Sequence, residues 1–231
     1  TTAPTLSGVS IASNNTTNTL ANPGDDVTLT LTASEAIGTP FVTFQSGGAA
    51  ISDGSIVYAN TSGNTWTATY TANASDTGGA VSYSIAFSDT SGNAGTPVTT
   101  TTDTSSVAVV IDSDLPKLLS SSPSDGSGSV ELDKNIILTF SENITAGSGQ
   151  IKLFDANDKL VEAFTVSSSI ISGSTVTLNP TADLKPDNSY YIQISSTAFT
   201  DDAGNNYAGI TNKTEINFTT RKKTPKEAFT E

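Results

Sequence analysis

Short apolar segments alternate with Ser and Thr along most of the chain. A side-chain period of two residues is typical of a β-strand with one buried and one solvated face. Clusters of Asn, Pro, Gly and Asp separate these segments as turns, and no segment has the period of a helix. The segments are Val27–Ala33, Trp66–Tyr70, Val81–Phe87 and Val107–Ile111 in the first half, and Ile136–Phe140, Ile151–Leu153, Val176–Leu178, Tyr190–Ile194 and Ile216–Phe218 in the second.

Two stretches of the chain repeat each other. The sequence DVTLTLTASE at Asp26–Glu35 aligns without gaps with DKNIILTFSE at Asp133–Glu142. Further along, Phe87–Asn93 corresponds to Phe199–Asn205 through a shared Asp-x-x-Gly-Asn pattern. Glu35 precedes Asp89 of this pattern by 54 residues, and Glu142 precedes Asp201 by 59. Matched motifs at a nearly constant separation indicate an internal duplication.

The duplication predicts two domains of one plan. About seven strands in each half is the number found in an immunoglobulin-like sandwich. The expected fold class is therefore all-β, with two tandem immunoglobulin-like antiparallel β-sandwiches joined by a short linker. The first domain is expected at residues 1–111, the linker at 112–116, the second domain at 117–220, and a tail or the start of another linker at 221–231. Pro116 favours an extended linker backbone.

The composition removes most catalytic chemistry. The 231 residues contain no His and no Cys, so a Ser-His-Asp triad, a Cys nucleophile and disulfides are all excluded. Zinc and copper lose their usual ligands, which leaves hard cations bound by oxygen atoms. A pair of carboxylates could hydrolyse glycosides, but domains of this size offer no obvious cleft. The protein is therefore not expected to be an enzyme.

The charge is acidic and unevenly distributed. The formal net charge is −13, from 10 Lys and Arg against 23 Asp and Glu, and residues 1–111 contain no Lys or Arg. Nucleic acid and anionic membrane are not expected partners, because both require a basic surface. Membrane insertion is not expected either, since no apolar run approaches the roughly 20 residues of a span. Divalent cations are the natural partners of such a surface.

The motifs of the second half resemble those of bacterial immunoglobulin-like domains, the modules of large repetitive surface adhesins and of some surface-layer proteins. The motifs are Ser122-Pro123, the strand ending at Glu142, Gly147–Ile151, Leu184–Tyr190 and Asp201–Asn205. The first half resembles a sister group with a divergent middle. The resemblance implies a secreted or surface-anchored bacterial protein in which these domains form a non-catalytic extender or stalk. Its implied partners are neighbouring Ig-like domains of the same chain, with a cell-surface ligand as a further partner.

Acidic residues are predicted to meet at the joint between the domains. In an immunoglobulin-like sandwich, the loop after the second strand and the loop before the last strand lie at the end that carries the N-terminal linker. Ca²⁺ takes six to eight oxygen ligands, so calcium is the predicted cofactor there, and it would stiffen the joint. The candidate ligands are Asp112, Asp114, Glu142, Asp201 and Asp202 at the joint, with Glu35 and Asp89 as an incomplete equivalent in the first domain.

Other interpretations stay open. Asp-x-x-Gly-Asn is also a good turn sequence, because Asp accepts local backbone N–H bonds and Gly adopts a positive φ. The alternatives to a stalk are a ligand-binding module for a host protein or glycan, for which the first domain is the better candidate because its residues 45–64 are loop-rich, and an accessory region of a large extracellular enzyme. Tyr190 resembles a tyrosine corner. Trp66 shares a strand face with Ala68 and Tyr70, which predicts a core position rather than a sugar platform.

Overall fold

The computed structural model describes residues 2–52, 54–102 and 108–224. The chain separates into two compact units, Thr1–Asp114 and Leu115–Glu231. Within the described ranges both units are built from β-strands, and the only helical element there is one 3₁₀ turn at Ser168–Ile170. The beginning of the predicted strand at Val107 and the tail beyond residue 224 lie outside the described residues.

The first unit is a sandwich of two sheets. One sheet has the order β1-β3-β7-β6, and the other has the order β2-β9-β8-β4-β5. Neighbouring strands are antiparallel except β2 and β9, which run parallel. The strands are β1 (Leu6–Ser13), β2 (Leu20–Ala21), β3 (Asp26–Ala33), β4 (Phe41–Ser46), β5 (Ala49–Ala50), β6 (Val57–Ser62), β7 (Thr65–Thr71), β8 (Gly79–Ala86) and β9 (Val110–Ile111).

The second unit repeats this plan. Its sheets have the orders β10-β12-β17-β16 and β11-β20-β18-β14-β15, and β13 forms a small separate pair with β19. Apart from that pair, the strand orders of the two units correspond one for one, including a parallel pairing of β11 with β20. The strands are β10 (Leu118–Ser122), β11 (Ser127–Val130), β12 (Ile136–Phe140), β13 (Thr145–Ala146), β14 (Gln150–Asp155), β15 (Leu160–Thr165), β16 (Ile171–Ser172), β17 (Thr175–Leu178), β18 (Ser189–Ile194), β19 (Phe199–Thr200) and β20 (Asn217–Thr220).

Alternation along the central strands builds one core in each unit. In β3, half-buried polar residues alternate with buried Val27, Leu29 and Leu31, and β12 has the same pattern. Each of the nine predicted segments contains or overlaps a strand. The middle of the first unit is more regular than its sequence indicates, because β5 and β6 lie within the segment expected to be loop-rich. Every residue of β6 is exposed or half-buried, so this edge strand has no clear alternation.

The two cores use different side chains at equivalent positions. In the first domain a side chain at Gly95 would overlap the ring of Phe87. The aligned residue in the second domain is Tyr207, whose ring centroid lies 5.1 Å from that of Phe140. The Phe140 ring also packs against the Phe199 ring, with centroids 5.2 Å apart. The residue of the first domain that aligns with Phe140 is an alanine. An aromatic cluster thus fills space that one phenylalanine and two small residues fill in the first domain.

Both aromatic predictions agree with the structure. The backbone N–H of Lys185 donates a hydrogen bond of 2.8 Å to the hydroxyl of buried Tyr190, which is the tyrosine-corner contact. Trp66 is half-buried and packs against the first core, on the strand face that carries Ala68 and Tyr70. Both residues therefore contribute to packing.

Candidate functional site

The Asp-x-x-Gly-Asn sequence of the second domain forms a turn centred on a buried carboxylate. Asp201 is only 3% exposed. Its Oδ1 accepts the backbone N–H groups of Ala203 at 2.9 Å and Asn205 at 2.8 Å, and its Oδ2 accepts the side-chain amide of Asn205 at 2.9 Å. Gly204 has a φ of 94°, which residues with a Cβ rarely adopt. The carboxylate therefore organises the backbone around it.

The first domain contains the same turn. Asp89 Oδ1 accepts the N–H groups of Ser91 at 2.9 Å and Asn93 at 2.8 Å, and Oδ2 accepts the Asn93 amide at 2.6 Å. Hydrogen bonds from Asn93, its side chain first, hold the pKa of Asp89 below the ordinary value. The folded state therefore favours the ionised carboxylate. Its contribution to stability is present at neutral pH and is lost as the pH falls through that lowered pKa.

Strand pairing brings two of the predicted metal ligands together in the second domain. β13 begins three residues after Glu142, and it pairs with β19, which ends directly before Asp201. One carboxylate oxygen of half-buried Glu142 lies within 4.8 Å of one of Asp201. This pairing fixes the distance between the two acids, although 59 residues separate them in the chain.

The other predicted ligands have different surroundings. Asp202 follows Asp201 directly but is exposed. In the first unit, Asp112 Oδ1 accepts the backbone N–H of exposed Asp114 at 3.1 Å. The backbone N–H of Asp112 donates to the carbonyl of Ala21 at 2.9 Å, which continues the pairing of β9 with β2.

The predicted equivalent pair of the first domain combines one exposed and one buried acid. Glu35 is exposed, whereas Asp89 is buried in its turn. An isolated antiparallel bridge joins Ile37 to Asp89, in the place that β13 and β19 occupy in the second domain. The same loop therefore approaches the same turn in both domains.

The donor set of the second domain suits a hard cation. A carboxylate offers about four acceptor positions, and the turn uses three of those on Asp201. Glu142 brings a second carboxylate to the same place, and its Oε1 accepts the Ser141 hydroxyl at 3.3 Å. Oxygen ligands of this kind are those that calcium prefers. Calcium binding nonetheless stays a prediction, because the turn also explains the burial of Asp201.

A groove that the sequence did not reveal runs along β10 in the second domain. Its volume is about 790 Å³. β10 forms one wall, and the segment from Tyr207 to Ile210, together with Glu215, forms the other. Leu119 projects at this wall and is 66% exposed. The one sequence signal was the adjacent pair Leu118-Leu119, which interrupts the alternation.

The sequence also did not reveal an aromatic pair on the second domain. The rings of Phe154 and Tyr191 stack with centroids 5.1 Å apart. The Tyr191 hydroxyl donates to Asp158 at 2.9 Å, and Lys213 lies over the Tyr191 ring and pairs with Asp158. The hydrogen bond from Lys213 lowers the pKa of Asp158. Tyr191 is itself buried, so this cluster does not present two open rings to a sugar.

The geometry of the second domain agrees with the family that its sequence matches. Residues 112–220 match the sequence profile of the bacterial Ig-like domain family. The second domain is a bacterial Ig-like domain. The matched residues include Asp112, Asp114, Glu142 and the Asp201 turn. No curated protein matches the chain closely enough to count as a relative. Among the described residues, no helix is long and apolar enough to cross a membrane.

Solved structures with tandem Ig domains are similar to the whole chain at low identity. An I-band fragment of titin is 12% identical with a TM-score of 0.44, covering 96% of this chain and 66% of the fragment. A two-Ig fragment of DIP-gamma is 12% identical with a TM-score of 0.37, covering 94% of this chain and 97% of that one. The immunoglobulin-like fold of the domain beside the bacterial Ig-like domain rests on its own strand order.

Proposed function

We propose that the two domains form a non-catalytic, load-bearing extender of a secreted or surface-anchored bacterial protein of the adhesin type. The family of the second domain and the repeated plan support this proposal. The proposed location is outside the cell or on its surface, where neighbouring Ig-like domains of the same chain are the direct partners. The observation that carries the proposal is the parallel strand pairing between the N-terminal part and the C-terminal strand of each domain.

In each domain a strand near the N-terminal end pairs in parallel with the last strand. β2 pairs with β9 in the first domain, and β11 pairs with β20 in the second. Tension on the two chain ends pulls parallel neighbours in opposite directions along their length. The hydrogen bonds between them are then loaded together rather than opened one after another. Such a pairing resists extension, which is what an extender requires.

The pairing in the first domain is short. β2 and β9 have two residues each. The N–H of Val110 donates to the carbonyl of Thr19 at 2.9 Å, and the N–H of Asp112 donates to that of Ala21 at 2.9 Å. These bonds hold the last described strand of the domain against its N-terminal half.

The pairing in the second domain has additional side-chain contacts. The Asn217 amide donates to Asp125 at 2.6 Å, and the Arg221 guanidinium donates to Glu131 at 2.6 Å. The N–H of Arg221 also donates to the carbonyl of Val130 at 2.8 Å. Both side-chain contacts link the two ends of the domain across the parallel pair. We therefore expect the second domain to resist force better than the first.

Single-molecule stretching of the intact chain tests this function. We expect two separate unfolding events, each releasing roughly 90 residues, or about 30 nm at 3.3–3.6 Å per residue. The event at lower force belongs to the first domain. Val110→Pro removes one donor of the β2–β9 pair and lowers the force of that event only. Val57→Pro makes the same exchange at the start of the edge strand β6 and leaves both forces unchanged. Gradual extension without distinct events would contradict a load-bearing role.

The proposed role of calcium is to stiffen the joint. Glu142 and Asp201 would hold the ion together with the linker acids Asp112 and Asp114, and the ion would neutralise carboxylates that otherwise repel one another. Chain connectivity supports this set. Lys117 exchanges hydrogen bonds with Ser141, the neighbour of Glu142, through its carbonyl at 2.8 Å and its N–H at 3.0 Å. The linker acids precede Lys117 by only three and five residues.

Calorimetric titration with calcium tests this role. The unmodified chain is expected to release or absorb heat with a saturating isotherm, and Glu142→Gln is expected to weaken binding by more than about tenfold, because it removes a charged ligand. Asp133→Asn removes an exposed carboxylate of the same domain and serves as the control that keeps full affinity. Absence of heat up to millimolar calcium in the unmodified chain would rule out the ion, while leaving the extender proposal intact.

A further inference from the structure

The strands β1 and β10 occupy the same place in the two domains. Each is an edge strand that pairs with the next long strand of its sheet, β1 with β3 and β10 with β12. The register is interrupted at the same point, directly after Leu6 and directly after Leu118. Val9 and Ser121 are therefore equivalent, since each lies opposite the aligned leucine of its partner strand.

In the first domain another part of the chain covers the outer side of this strand. The N–H of Thr102 donates to the carbonyl of Val9 at 3.0 Å, and the N–H of Val9 donates to the Thr102 hydroxyl at 2.8 Å. Val9 itself is only 1% exposed, because its side chain belongs to the core of the first domain. The covering segment is Val98–Thr102, a valine followed by four threonines. Thr102 makes the contact with this edge, whereas Val98, at the other end of the segment, pairs with Ile85 of β8.

In the second domain the equivalent edge is open. Within residues 108–224, the backbone of Ser121 has no hydrogen-bonding strand other than β12, and β10 contains no buried residue. The groove of about 790 Å³ lies along this edge. Half-buried Leu118 and exposed Leu119 provide apolar surface on the β10 side, whereas Ile210 on the other side is only 2% exposed. The second domain therefore has a receptive edge at the place where the first domain has a bound segment.

The charges along the groove differ between its ends. Lys117 lies at the end where β10 begins, whereas Asp125 and Glu215 line the far part. Tyr207 and Glu215 both line the groove, and burial, with a smaller effect from the charge of Glu215, raises the pKa of Tyr207 to about 12. A segment with basic residues at the far end is attracted there, and an acidic one is repelled.

We propose that β10 is a strand-addition site for an extended peptide segment of another protein. The segment has a β-branched, hydroxyl-rich centre and Lys or Arg at the end that lies beside Asp125 and Glu215. It forms backbone hydrogen bonds with the open edge at Ser121, as Thr102 does with Val9, and packs an apolar side chain against Leu118 and Leu119. Backbone pairing gives affinity and the side-chain pockets give selectivity, as in other cases of strand addition. This binding role is independent of the extender role.

A synthetic peptide derived from the chain itself is the probe. It contains residues 96–102 followed by two lysines, because this stretch includes Thr102, which makes the equivalent contact with Val9 in the first domain. Titration into the intact, isotopically labelled chain is followed by NMR. We expect shifts at Ser121 and its neighbours in β10, and at least about tenfold weaker binding when the two lysines are replaced by glutamates.

Two leucine variants locate the site. Leu119→Lys replaces an exposed apolar side chain of the groove with a charge of the same sign as the peptide lysines. It is expected to weaken binding by at least about tenfold. Leu160→Lys makes the same change at an exposed leucine of β15 and is expected to bind as the unmodified chain does. Equal weakening by both variants, no shifts in β10, or equal binding of the glutamate peptide would overturn the proposal. So would a dimer in sedimentation that Leu119→Lys disrupts, because a second copy would then be the occupant.

Discussion

Replacing Asp201 with alanine is expected to lower the free energy of unfolding of the second domain by about 2–4 kcal/mol. The change removes the carboxylate that accepts hydrogen bonds from the buried N–H groups of Ala203 and Asn205 and from the side-chain amide of Asn205. Urea denaturation followed by circular dichroism at pH 7 measures the loss. The fluorescence of Trp66, the only tryptophan in the chain, reports the first domain separately and is expected to keep its transition midpoint.

The neighbouring acid provides the control for this variant. Asp202 is exposed, and Asp202→Ala is expected to change the unfolding free energy by no more than about 0.5 kcal/mol. A result in which both variants are equally stable would mean that the turn does not depend on the buried carboxylate. Because Asp201 is also a proposed calcium ligand, the measurement is made in the presence of a chelator.

Replacing Phe140 with alanine is expected to cost the second domain about 3–5 kcal/mol. Its side chain is 2% exposed and contacts the rings of Phe199 and Tyr207. Alanine is the aligned residue of the first domain, but that domain has Gly95 and a differently placed Phe87 in the same region. The second domain has no such compensation, so the substitution leaves a cavity rather than reproducing the first core.

An exposed phenylalanine provides the comparison. Phe41 is 66% exposed, and Phe41→Ala is expected to change stability by less than about 0.5 kcal/mol. The urea midpoint is expected to fall for Phe140→Ala with an unchanged denaturant slope, as for a change in stability alone. A loss below about 1 kcal/mol would show that the aromatic cluster collapses around the smaller side chain.

The sequence was most informative about the central strands. The side chains of Val27, Leu29 and Leu31 point inward because residues two apart lie on the same face of a strand, and this parity is a local property. The same reasoning located β12 and β18. It was less informative for the edge strands β6 and β10, whose exposed faces weaken the alternation. Sequence patterns report how a strand faces a core, and these strands have less core contact to report.

At the candidate site, too, local sequence predicts some features and strand pairing decides the others. The motif Asp-x-x-Gly-Asn was sufficient to predict a turn, since Asp201 bonds within four residues of itself. The proximity of Glu142 to Asp201 depends on the pairing of β13 with β19, and the resemblance to the family, rather than the local sequence, predicts it. Whether the edge of β10 is covered could not be deduced at all. In the first domain the covering residue, Thr102, lies 93 positions from Val9.

The chain alone was therefore enough to establish a duplicated all-β protein with inward-facing alternation, repeated turns and no imidazole or thiol chemistry. Each of these properties follows from composition or from residues close together in sequence. The tertiary structure decided which acids are buried acceptors, how the two cores fill equivalent space with different rings, and which strand edge stays open. These properties arise from contacts between residues 55 to 93 positions apart, where backbone pairing leaves little trace in the local order of residues.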